Sequence, residues 1–135
     1  MTIISYTLFF TKEGKKMTYI ELINGFENWL ETHHLPIASQ LLWYKLIALF
    51  NRCGWEEWIA VDNQRLMSIM QIKREATFIE IRNKLLEAGL FDYEKGKKGS
   101  PNKYKINTYN FESTNRSKNR SKNSSINRSR NRRHK

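Results

Sequence analysis

Cysteine is almost missing from this chain: Cys53 stands alone, which excludes an internal disulfide, and the three histidines do not fall with it at zinc-site spacing. Metal and redox chemistry are therefore without a ligand set, and no cofactor is expected. Long hydrophobic runs are lacking as well, and nothing approaches the roughly 20 apolar residues that cross a bilayer. The stretch IISYTLFF at 3–10 has no basic residue before it and no small-residue cleavage site after it, so it does not read as a signal peptide. The expectation is a cytoplasmic protein with no membrane partner. There is no nucleophile motif, no carboxylate pair with a stated partner and no Gly-rich phosphate loop, so an enzyme is not expected.

Acidic residues disappear at the C-terminal end. Ser113–Lys135 holds nine Lys or Arg and no Asp or Glu, so the 24 basic residues of the chain leave fifteen against thirteen acids in the first 112. The net charge of +11 thus belongs mostly to the tail. The tail repeats Asn, Arg, Ser and Lys around a single Ile, a composition that cannot bury enough surface to offset ordering, and residues 112–135 are expected to be disordered. Within the remainder, basic residues concentrate in 95–105, at Lys95, Lys97, Lys98, Lys103 and Lys105.

What is present is one domain's worth of apolar content, 39% of 135 residues. Thr18 and Glu21 form a capping box after Met17, opening a first helix with Leu22, Phe26, Trp29 and Leu30 on one face. Residues 1–16 precede that signal. Any codons for Lys12-Glu13-Gly14 can contain a GGAGG-like ribosome-binding site, so these residues are read as an extension ahead of a start at Met17, an N-terminal strand or arm being the alternative. Pro36 suits the first turn of a second helix, ASQLLWYKLIALFNR, apolar around most of its circumference and stopped at Gly54. Residues 58–61 read as a short strand, and Asn63 as the cap of a third helix carrying Leu66, Ile69 and Met70. A fourth helix over 73–88 ends at Gly89, and Leu90–Glu94 and Tyr104–Asn107 flank a Gly, Pro and Lys turn as a hairpin. The fold expected is mainly α with a small β-hairpin, a winged helix-turn-helix spanning 17–111.

Three segments carry a family resemblance: INGFENWLETHHLP, LLWYKLIALFNRCGW, and ATFIEIRNKLLEAGLFDYEKGKKG followed by KYKI. Together they resemble the N-terminal winged-helix domain of DnaD-like phage replication (primosome) proteins. The resemblance implies a DNA-binding and assembly module in replication initiation, a homo-oligomer whose partners are single- or double-stranded DNA and other initiation proteins. Its turn between the third and fourth helices departs from a Gly with a capping Ser, reading Gln71-Ile72-Lys73-Arg74. The same fold serves transcriptional regulators and protein-interaction domains that have lost DNA binding, and both stay open as alternatives.

Candidate DNA contacts are Lys73, Arg74 and Thr77, in the first turns of the fourth helix, where the helix N-terminus favours phosphate. The competing reading is a solvated face, since Glu75, Glu80 and Glu87 leave 73–88 only one charge positive. Lys95, Lys97, Lys98 and Lys103 on the hairpin turn are the second set, able to follow a phosphate backbone or simply to keep the turn soluble. Arg82 and Asn83 are expected to tie the fourth helix to the domain. Trp29 and Trp43 are read as core, Trp55 and Trp58 as core or as a self-association surface, Cys53 as a small buried residue, and His33-His34 as a helix end.

Overall fold

A computed structural model describes residues 8–10, 16–108 and 111. The tail at 112–135 lies outside the described residues, as do 1–7, 11–15 and 109–110. The elements run β1 (Leu8–Phe10), β2 (Lys16–Thr18), α1 (Tyr19–Leu30), α2 (Ile37–Arg52), β3 (Ile59–Ala60), α3 (Asn63–Met70), α4 (Glu75–Glu87), β4 (Phe91–Glu94) and β5 (Lys103–Ile106). The described part is therefore mainly helical, with a three-stranded antiparallel sheet in the order β3-β5-β4 and a separate ribbon in which β1 pairs with β2.

α1 starts where its capping box puts it: Thr18 Oγ1 accepts from the Glu21 N–H at 3.1 Å while the Glu21 carboxylate accepts from the Thr18 N–H at 2.9 Å. Leu22, Phe26 and Trp29 are buried, and the His33 ring stacks on Trp29 at 4.4 Å with Nδ1 bonded to the Trp29 carbonyl at the helix end. α2 runs through the centre and buries Leu42, Trp43, Leu46, Ile47, Leu49 and Phe50. Each such side chain contributes about 1.5–3 kcal/mol on leaving water, so this helix is the main source of core stability. Ser39 fixes α2 against α4 by donating to the Ile81 carbonyl at 2.9 Å. The aromatic centre is Phe26 stacked on Trp43, with Phe111 closing over both at 6.1 Å.

That last contact explains a glycine inside a helix. A Cβ on Gly25 would stand 2.8 Å from Phe111 Cβ, so α1 leaves the space that lets Phe111 reach full burial. Phe111 thus returns the chain to α1 after β5, a long-range contact with no local sequence pattern.

Several boundaries differ from expectation. Asp62, not Asn63, caps α3, accepting from the Arg65 N–H at 2.8 Å; two adjacent residues were competent, and the one ahead of the helix takes the role. Pro36 is the N-cap of α2 and not its first turn. α4 begins at Glu75, because Gln71 takes a left-handed conformation (φ 59°) and the chain needs Ile72 to Arg74 to re-enter a helix. Cys53 is exposed, since Gly54 and Trp55, both at positive φ, turn the end of α2 outward. Gly89 occupies its left-handed place after α4 as expected.

Candidate nucleic-acid interface

The β4–β5 hairpin carries its lysines outward: Lys95, Lys97 and Lys98 on the loop and Lys103 at the start of β5 are all exposed. Its tip is a β-turn, with the Ser100 N–H donating to the Lys97 carbonyl at 2.7 Å and Gly99 at φ 80°. Its two limbs touch at Gly96, where an added Cβ would lie 2.1 Å from the Ser100 carbonyl oxygen and 2.5 Å from that of Pro101. No side chain fits there without opening the loop. The remaining lysine of the segment, Lys105, is engaged elsewhere: Nζ bonds Glu57 at 2.8 Å and stands 5.8 Å from the Trp58 ring centre.

The base of the loop is bonded to the helices. Gly96 donates its N–H to Asn102 Oδ1 at 2.8 Å, and Asn102 Nδ2 donates to Asn63 Oδ1 at 3.2 Å. The same Asn63 oxygen accepts from Arg82 Nη1 at 3.3 Å, and Asn63 Nδ2 donates to Glu75 at 3.3 Å. Loop, α3 and α4 therefore meet at one amide. Arg82 is buried here, its guanidinium 4.7 Å from the Tyr93 ring centre and its Nη2 donating to Asn83 Oδ1 at 3.4 Å. The sequence placed Arg82 and Asn83 as ties between this helix and the domain; the contacts of Arg82 with Asn63 and Tyr93 are of that kind, whereas the bond of Asn83 is to Arg82 within α4. Asn63 and Asn102, equal members of the cluster, gave no local signal.

Tyr104 lies against this cluster, fully buried on β5, its hydroxyl near the Arg82 guanidinium but in no well-formed hydrogen bond among the described residues. Burial pushes its pKa up to about 12, the positive charge of Arg82 opposing part of the rise. Tyr44, on α2, is raised too, by burial first and then by its hydrogen bond to Glu27.

Lys73, Arg74 and Thr77 are exposed, but only Thr77 is in the first turn of α4. Lys73 lies in the preceding turn and Arg74 is the N-cap, with no side chain capping the free backbone donors there. This changes the charge of the helix itself. With Lys73 and Arg74 ahead of it and Arg82 buried, the exposed charges of α4 are Glu75, Glu80, Lys84 and Glu87. The helix thus exposes three acids against one base, Glu80, Lys84 and Glu87 along one side with Lys84 4.0 Å from Glu87, and Glu75 on another side bonded to Asn63, while Lys73 and Arg74 precede its N-terminal end.

The tryptophans divide as follows. Trp29 and Trp43 are core, Trp55 is half-buried edge-on to Tyr19 at 5.5 Å, and Trp58 is half-buried beside Lys105. The exposed large apolar side chains are instead Ile20, Ile37 and Leu41. Among the described residues no group of three His, Cys, Asp or Glu is placed to hold a metal ion, and no helix is long and apolar enough to cross a membrane.

Comparison of this chain with protein families, curated proteins and solved structures gives no match.

Proposed function

We propose that residues 17–111 form a winged helix-turn-helix module that binds DNA and serves in the assembly of a phage-type replication-initiation (primosome) complex. The order of elements supports this: α3, a turn and α4 are followed by the hairpin β4–β5, with β3 paired to β5 as the third strand. In this reading the loop at 95–102 is the wing. The observation that carries the proposal is the exposed lysine set on a hairpin bonded to Asn63 at the start of α3, which is bonded in turn to Glu75, the residue after Arg74. Such a surface suits the phosphate backbone of DNA, where each neutralised phosphate releases counterions.

The charges exposed on α4 set the mode. Glu75, Glu80 and Glu87 outnumber Lys84, the one exposed base of the helix, so DNA is held by wing and turn with little base reading. The same excess of acid favours a second reading, a protein-interaction domain that has lost DNA binding. Self-association, and partnership with other initiation proteins, belong to the proposal on the strength of the DnaD-like resemblance. The test is a triple replacement of Lys97, Lys98 and Lys103 by Ala. Binding to all DNA sequences should weaken alike, with a shallower salt dependence and an unchanged circular dichroism spectrum. Unchanged affinity in that folded variant favours the interaction-domain reading.

A further inference from the structure

We propose that Asn102 is a positioning residue that locks the wing onto the helices, so that wing lysines and the cations of the α3–α4 turn present one phosphate-binding surface of fixed spacing. The inference rests on the DNA-binding reading above. Its physical basis is the double bond pattern of a single short side chain. Asn102 accepts from the Gly96 N–H through Oδ1 and donates to Asn63 through Nδ2, so it closes the wing on itself and ties it to α3 in one step. An amide of this length offers an acceptor and a donor on two separate atoms; Asp lacks the donor, Ala lacks both, and Ser carries both on one oxygen with shorter reach.

The bridge continues beyond Asn63. Its oxygen also accepts from the buried Arg82 of α4, and its nitrogen bonds Glu75 in the first turn of that helix, next to Arg74. Two side chains thus link the wing base to the residue beside Arg74. Without this link the wing would be a lysine-rich loop with self-repelling charge, and loops of that kind move on fast timescales. A moving loop still attracts DNA by charge, but it does not hold its lysines at the spacing of consecutive phosphates. The close approach of Gly96 to the Ser100 and Pro101 carbonyls shows the loop compacted where Asn102 closes it.

Asn102 can be altered without dismantling the sheet. Its backbone carbonyl accepts from the Val61 N–H at 2.9 Å, extending the β3–β5 ladder independently of the side chain. Replacement by Ala removes no charge, so a change in DNA binding reports geometry alone. Asn102→Ala and Asn102→Ser would be compared with the parent by thermal melting, by amide exchange and NMR relaxation across 95–103, and by titration of a short duplex of arbitrary sequence at several salt concentrations.

The expected result is loss of Gly96 amide protection and fast motion of the wing, with the helical core melting nearly as before. Affinity should fall about five- to tenfold, and the salt slope should become shallower by about one for each wing lysine displaced. A loosened wing with unchanged affinity and slope, or a wing as rigid in both variants as in the parent, overturns the positioning role while leaving DNA binding intact. A parent protein that binds no duplex at low salt overturns the DNA-binding reading and the positioning role together.

Discussion

Gly25 shows how one missing side chain decides a position. Glycine inside a helix costs about 1 kcal/mol relative to Ala, so Gly25→Ala would stabilise α1 if nothing stood nearby. Phe111 Cβ stands 2.8 Å from the site of the added methyl, and it belongs to the root of a fully buried side chain. The clash should prevail. Gly25→Ala is expected to lower stability by about 1–3 kcal/mol, as overpacking does, measured by denaturant unfolding. A gain in stability would mean that Phe111 is not seated there. Tyr104 supplies a second test at this scale. Its folded pKa of about 12 lies above the ordinary phenol value of 10.0, so folding favours the protonated form. That contribution is complete below pH 10 and is lost as pH rises through about 12. Tyr104→Phe should flatten the alkaline fall in stability over that window.

Among the elements, those with a local cause were legible in the sequence. α1 has its capping box and α2 its apolar circumference, and the hairpin has two alternating runs around a Gly and Pro turn. The start of α4 was not legible. Lys73, Arg74 and Glu75 carry no apolar phase, and the left-handed Gln71 that delays the helix occupies a place where glycine is the usual signal. Half of the candidate site was legible too, because exposed lysines on a turn are a compositional feature. The bridge through Asn63, Asn102 and Arg82 was not, because polar contacts between residues far apart in sequence leave no periodicity. The docking of Phe111 on α1 belongs with these unseen contacts, and chain shortening tests it. Truncation after Phe111 should leave the melting temperature nearly unchanged and lower DNA affinity, since it removes residues 112–135 with nine basic residues against the single acid Glu112. Truncation after Asn107 also removes Phe111 and should cost about 3–5 kcal/mol, in line with loss of a buried Phe. Equal melting temperatures for the two shortened chains would contradict the burial of Phe111.

For the whole molecule the question is where charge sits relative to shape. Most of the net charge of +11 lies in the tail. Within the described residues six exposed cations sit on the hairpin and the turn before α4, at Lys95, Lys97, Lys98, Lys103, Lys73 and Arg74, with Arg52, Arg65 and Lys84 exposed elsewhere, while α4 exposes three acids against one base. An account built on that distribution requires binding governed by phosphate and indifferent to base sequence. The most direct measurement is titration of two unrelated duplexes, and of the corresponding single strands, between about 50 and 200 mM salt. With about four to six phosphates engaged by wing and turn, log affinity of the chain shortened after Phe111 should fall against log salt with a slope of roughly −4 to −5, steeper when the tail is present and in each case equal for the two duplexes. Affinity that barely responds to salt, or that is confined to one of the two sequences, would contradict it.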